Sequence, residues 1–148
     1  TCEEGRVARL TAVFLAFLAA VTLPAAVAAH HSFAAQYDSS QRVTLEGTIT
    51  RVEWMNPHAY FYIDVPDGKG KVVNWAVEGG APNVLYREGW KPTSLKQGDR
   101  VTILGSRARN GSNLVNALSF QLPDGRCVFA GTSGPGGTGT PNCTVGRR

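Results

Sequence analysis

Histidine and methionine are scarce in this 148-residue chain, at three and one. No nucleophile elbow, phosphate loop, Cys-x-x-Cys pair or His-Glu metalloprotease signature occurs in it. Those absences remove the enzyme classes that such motifs announce. Three histidines and a handful of carboxylates are thin material for catalysis, so we expect a protein that is not an enzyme. Runs of like charge are missing as well. The net charge of +4 is dispersed, which suits solubility and gives no sign of a polyanion partner such as nucleic acid.

One long apolar run is present. Leu10 to Ala29, "LTAVFLAFLAAVTLPAAVAA", carries no charge and follows Arg6 and Arg9. A basic start, an apolar centre, a helix-breaking Pro24 and small residues at the end describe a secretory signal peptide, here residues 1–29. The alternative is an uncleaved anchor helix, because twenty apolar residues can just span a bilayer. Cleavage is the reading adopted. It implies a periplasmic or secreted protein that meets the membrane only through this segment before cleavage.

Export changes how the cysteines are read. Cys2 leaves with the leader, and Cys127 and Cys143 remain in an oxidising compartment. A disulfide between them would close a loop of about 15 residues and contribute roughly 3 kcal/mol in the chain-entropy picture. Two free thiols or a metal pair are the other possibilities. The enclosed stretch, "VFAGTSGPGGTGTPN", is rich in Gly, Pro and Thr and cannot build a core. Residues 131–148 are therefore expected to be a flexible tail pinned by that bond.

Between leader and tail, the pattern is that of strands. In "RVTLEGTITRVEW", Val43, Leu45, Gly47 and Ile49 alternate with Thr44, Glu46, Thr48 and Thr50, the period of a half-buried strand. The phase then slips by one, with Val52 and Trp54 as the apolar positions, which marks a β-bulge or bend. Gly47 in mid-strand fits strong curvature. "AYFYIDV", "VVNWAVE", a strand after the Gln97-Gly98-Asp99 turn, "LVNALSFQL" and a short "CVF" follow. "APNVLYREGW" reads as a short helix, with Pro82 in its first turn and Gly89 at its stop. Three strands, a helix and two or three strands predict an all-β fold: a small OB-like Greek-key barrel of 5–6 strands over residues 43–130, with the helix between strands 3 and 4 as an end plug. A plain β-sandwich is the runner-up. Residues 30–42 form an N-terminal arm.

The candidate chemistry sits at the leader boundary, in "VAAHHSFAAQYD". A cut after Ala29 makes His30 the mature N-terminus, whose α-amine and Nδ1 can both bind a metal. A cut after Ala28 leaves Ala-His-His, in which amine, backbone amides and His31 form a square-planar set. Both arrangements suit copper(II). His58, in "EWMNPHAYF", falls at a turn where a barrel rim would place it. His30, His31 and His58 are thus the candidate metal ligands, with copper as the candidate cofactor. Met55 is a soft neighbour. The competing function is a metal-free module whose aromatic barrel face, with Trp54, Tyr60, Tyr62 and Trp75, holds a peptide, glycan or small apolar ligand. Asn56 and Pro57 shape the rim beside it. The bland alternative makes the histidines solvated residues and the aromatics core.

The ordered set "HHSFAAQYD", "VTLEGTITRVEWMNPH", "W…E", "LYREGW", "LKQGDRVTILGSRARNGS" and "LPDGR" resembles an uncharacterised family of small exported bacterial proteins, a domain of unknown function with an HHSF start and an NPH turn. The likeness runs from about His30 to Phe129. It implies export and a shared fold, names no reaction, and links His30, His31, Asn56, Pro57 and His58 as motif positions. The Gly-rich tail with Cys143 departs from the pattern. A looser likeness, of architecture alone, is to periplasmic OB-fold proteins, some of which carry copper and some other small ligands.

Overall fold

The computed structural model describes residues 33–132 and Cys143. The expected signal segment, His30, His31 and most of the tail lie outside those residues. A helical turn at residues 33–36 leads directly into β1 (Tyr37–Glu53). β2 (Tyr60–Pro66), β3 (Val72–Glu78), a short helix α1 (Pro82–Arg87), β4 (Arg100–Ala108), β5 (Leu114–Gln121) and β6 (Cys127–Phe129) follow. Among the described residues no helix is long and apolar enough to cross a membrane.

The six strands lie in the order β3-β2-β1-β4-β5-β6, and an additional parallel pairing of Ala76–Glu78 with Leu114–Asn116 joins β3 to β5. All other neighbours are antiparallel. A ring in which long β1 serves two partners and β3 meets β5 in parallel is the OB-type barrel, as the strand order in the sequence led us to expect. β1 pairs with β4 through Tyr37 to Thr48 and with β2 through Thr48 to Glu53. The slip in its apolar phase is a real bulge, since Ile49 opposes Ile63 while Arg51 already opposes Tyr62. Gly47 sits where the chain turns from one partner to the other. A Cβ there would stand 2.6 Å from the carbonyl oxygen of Asp64, so only glycine allows so close an approach.

One boundary differs. The arm was expected to extend to residue 42, yet β1 already begins at Tyr37, and Tyr37 and Asp38 pair with Ala108 and Arg107. The register then shifts, and pairing resumes at Arg42 opposite Ser106. The loop-out is stabilised by Asp38, whose carboxylate accepts hydrogen bonds from the Ser40 amide (3.0 Å) and hydroxyl (2.7 Å). Such local pairing holds a polar segment in a sheet that its own composition would not select.

The core fills the ring with Leu45, Ile49, Phe61, Ile63, Val77, Ile103, Val115 and Phe120. α1 begins with Pro82 at its first turn, and Gly89 follows it with φ +85°. Its Leu85 is fully buried in that core, and Trp90 packs on Phe61 and Phe120 with ring centroids 5.5 and 5.3 Å away. The Trp90 indole donates to the Phe129 carbonyl (2.8 Å), which ties the helix exit to β6. Cys127 and Cys143 form a disulfide, so the expected pin on the tail is present.

Candidate functional site

Backbone pairing places His58 against a buried carboxylate. The Ala59 amide donates to the Gly80 carbonyl (3.0 Å) and the Gly79 amide to the Ala59 carbonyl (2.8 Å). Tyr60 stands opposite Glu78 in the β2–β3 ladder. The parallel closure adds Asn116, which pairs with Glu78 across β3–β5. Three segments distant in sequence therefore converge on one side chain.

Glu78 is 6% exposed and meets four side chains. The Tyr37 and Tyr60 hydroxyls donate to its Oε2 at 2.7 and 2.9 Å. Asn116 Nδ2 donates to Oε1 at 3.3 Å, and His58 Nδ1 faces the same oxygen at 3.2 Å. Burial first, and then the hydrogen bond to Glu78, push both phenols well above the ordinary tyrosine range, so both stay protonated as donors at any physiological pH. The Asn116 Oδ1 is buried and has no hydrogen-bond partner among the described residues.

His58 itself is 45% exposed at its side chain. The ring thus faces Glu78 with Nδ1, while nearly half of its side chain is open to solvent. Among the described residues no group of three or more His, Cys, Asp or Glu side chains could hold a metal ion. Any further ligands must come from elsewhere, and His30 and His31 fall outside the described residues.

The start of the arm lies on the same network. Phe33 packs against the Tyr37 ring at 5.5 Å, and Tyr37 is the phenol on Glu78. Arg109, in the β4–β5 turn, clamps the arm. Its Nε donates to the carbonyls of Ala34 (2.8 Å) and Tyr37 (3.1 Å), and its amide donates to Gln36 (2.9 Å). Its guanidinium also faces Asp38 at 3.6 Å. Arg109→Gln should release the arm at a cost of about 1 kcal/mol, the scale of lost charge-assisted bonds that are partly solvated. Hydrogen exchange at the amides of residues 34–38 checks this. Unchanged exchange would show that the backbone ladder alone holds the arm.

The aromatic residues do not gather as one face. Cross-strand partners share a side of the sheet, and Trp75 opposes the buried Ile63, whereas Tyr60 and Tyr62 oppose Glu78 and Ala76. Trp75 and Trp54 pack against the core. Trp54 also meets Tyr86 edge-on at 5.6 Å, and the Arg107 guanidinium lies 5.4 Å from the Trp75 ring. Tyr62 faces outward, covered by Arg51 at 3.9 Å, and donates to Glu53 (3.0 Å). Asn56 and Pro57 form an exposed turn with a cis peptide between them, and Met55 is exposed.

A match to the family described as "Family of unknown function (DUF6152)" spans residues 17–116. The chain belongs to that family. The resemblance read from the sequence is thereby established as an uncharacterised domain family with a small β-sheet fold. The DUF6152 match takes in Tyr37, His58, Tyr60, Glu78, Arg109 and Asn116, the residues of the network above. It stops short of Cys127 and Cys143, so the disulfide and tail lie beyond the matched region. A search of curated proteins finds no match.

Glu78, Tyr37, Asn116 and Arg109 had no role in the residue-by-residue reading. Glu78 ends an apolar strand just before Gly79-Gly80. A carboxylate at the end of a buried run, facing a tyrosine in the neighbouring strand, was the one available signal.

Proposed function

We propose that this DUF6152 chain is an exported binding protein that takes copper at a site made by its mature N-terminus and His58. The observation that carries this reading is the His58–Glu78 contact. Metal-bound histidines characteristically donate their other ring N–H to a carboxylate, which fixes the tautomer and aims the ligating nitrogen. Here His58 Nδ1 lies 3.2 Å from Glu78 Oε1, and the His58 side chain is 45% exposed. The anchored arm supports the same reading. Phe33 is tied to Tyr37, and His31 precedes Phe33 by two residues, a tether of at most about 7 Å. Cleavage after Ala28 or Ala29 would add an α-amine to the imidazoles, and nitrogen donors of this kind suit copper(II). His30, His31 and His58 would hold the ion, while Glu78 and its two phenols would orient His58. A conserved ring orientation lowers the reorganisation needed on binding, which is what a preorganised site provides.

The test starts with the exported protein. Intact mass fixes the cut site, and copper(II) titration is followed by electron paramagnetic resonance. Wild type should bind one equivalent with nitrogen hyperfine structure. His30→Ala/His31→Ala should abolish that signal, and Glu78→Gln should weaken binding roughly 10–100-fold, as loss of an orienting carboxylate does at other metal sites. His58→Ala should cost at least as much. If His58→Ala binds as tightly as wild type with an unchanged spectrum, the ion sits on the terminus alone and the joint site is wrong. No binding by wild type ends the copper reading altogether.

A further inference from the structure

A second place on the barrel collects polar groups that nothing in the fold uses. β2 runs from Tyr60, beside Glu78, to Pro66, a distance of about 20 Å at the usual rise per residue. At the Pro66 end a groove of ≈ 680 Å³ opens between β1, β4 and the β5–β6 turn. That is within the size range of small-molecule sites.

Its floor is set by the β1–β4 register. Glu46 opposes Thr102 and Thr48 opposes Arg100, so Glu46 and Arg100 are diagonal neighbours, about 7–8 Å apart at their stems. Both are exposed and both line the groove. Neither side chain has a hydrogen bond or ion pair among the described residues, although their charges are opposite. Asp64, across β1, behaves differently: it accepts from Asn74 at 2.7 Å. Thr48 and Thr102 occupy the other two corners of that four-residue patch and also line the groove. On the wall, Val72 is 62% exposed, one of few large apolar side chains left open to water.

We propose that this groove binds a free zwitterionic α-amino acid with an apolar side chain. Its ammonium pairs with Glu46, its carboxylate takes the Arg100 fork, and its side chain covers Val72. A free amino acid carries its ammonium and carboxylate on one carbon, so two flexible charged side chains rising from diagonal positions can meet both groups of a single residue. A dipeptide moves the two groups about 3.8 Å further apart. Arginine suits the carboxylate end because its planar fork donates to both oxygens at once. The site stands apart from His58 and does not rest on the copper reading.

The experiment is a titration of the full exported chain, ¹⁵N-labelled, with L-leucine, followed by amide chemical shifts. Saturable shifts are expected at Glu46, Thr102 and Gln121. Arg100→Gln and Glu46→Gln, both at exposed positions, should each weaken binding at least tenfold while keeping the wild-type melting temperature. N-acetyl-leucine amide, which has the side chain without the charges, should not bind, and His58→Ala should bind leucine normally. The proposal is overturned by an absence of saturable shifts, by wild-type affinity in the charge variants, or by equal binding of the blocked amide. Tighter binding of leucyl-leucine than of leucine overturns the single-residue ligand.

Discussion

Glu78→Ala lowers the unfolding free energy by about 3 kcal/mol or more, because several donors lose one shared acceptor. The figure follows from what the substitution leaves behind. The Tyr37 side chain is 2% exposed, and its hydroxyl has lost its acceptor. Tyr60 and Asn116 lose theirs too. Each orphaned buried group costs about 1–3 kcal/mol, and the groups share one partner, so the costs do not simply add. Tyr37→Phe, which removes one donor and leaves the carboxylate those of Tyr60 and Asn116, should cost about 1 kcal/mol. Urea unfolding of the four members of a Glu78/Tyr37 double-mutant cycle measures the coupling directly. A coupling energy near zero would mean that the 2.7 Å contact contributes nothing to stability.

The same network sets an alkaline limit. Burial and the bond to Glu78 raise both phenols above their unfolded value, which is about 10. A raised acid contributes its full stability below the unfolded pKa and loses it as pH climbs past that point. Wild type should therefore lose stability above pH about 10, and Tyr37→Phe should lose less. Melting temperatures between pH 8 and pH 11 (the range is a choice of experiment, about one unit or more either side of a free phenol) decide the point.

Gly105→Ala should be nearly as damaging, by a different route. Gly105 lies in β4 at the point where the β4–β5 register shifts. A Cβ there would fall 2.5 Å from the Asn116 carbonyl oxygen, 3.2 Å from the Ala117 Cα, and against the Val115 side chain. Two of those obstacles are backbone and cannot rotate away, so β5 would have to move. Overpacking of this kind costs about 3 kcal/mol, a fall of roughly 12 °C or more in Tm for a domain of this size. The displaced residue would be Asn116, so the Glu78 cluster should loosen with it. Thermal unfolding by circular dichroism tests the expectation. A Tm within about 2 °C of wild type, less than 1 kcal/mol on this scale, would show that β4 and β5 are not held so close.

What could be read from the residues divides along the range of the interactions involved. The bulge in β1 is visible because Ile49 and Val52 fall out of phase within a few positions. α1 is visible because Pro82 and Gly89 bracket it. Both signals are local. Tyr37 was assigned to the arm of residues 30–42. Its place in the sheet comes from β4 and from Arg109, about 70 positions away. The Glu78 site was invisible for the same reason, since His58, Tyr60, Asn116 and Tyr37 meet only when β2, β3, β5 and β1 are in register. The dense aromatics of strands one to three suggested one ligand-holding face. Alternation in fact sends Trp75 to the core side and the tyrosines outward. Aromatic count alone carries no information about which side of a sheet a ring occupies.

The closure of the ring has a kinetic consequence. β1 pairs with β4, whose residues lie some 50 to 70 positions downstream, and β3 must wait for β5 before the parallel rungs form. Contacts so far apart along the chain must overcome loop-closure entropy before they are rewarded, and small barrels of this contact order fold over roughly milliseconds to seconds. A polypeptide that lingers open on that timescale carries the long β1 with its β4 edge unpaired, exposed to pairing with other chains, until the ring shuts.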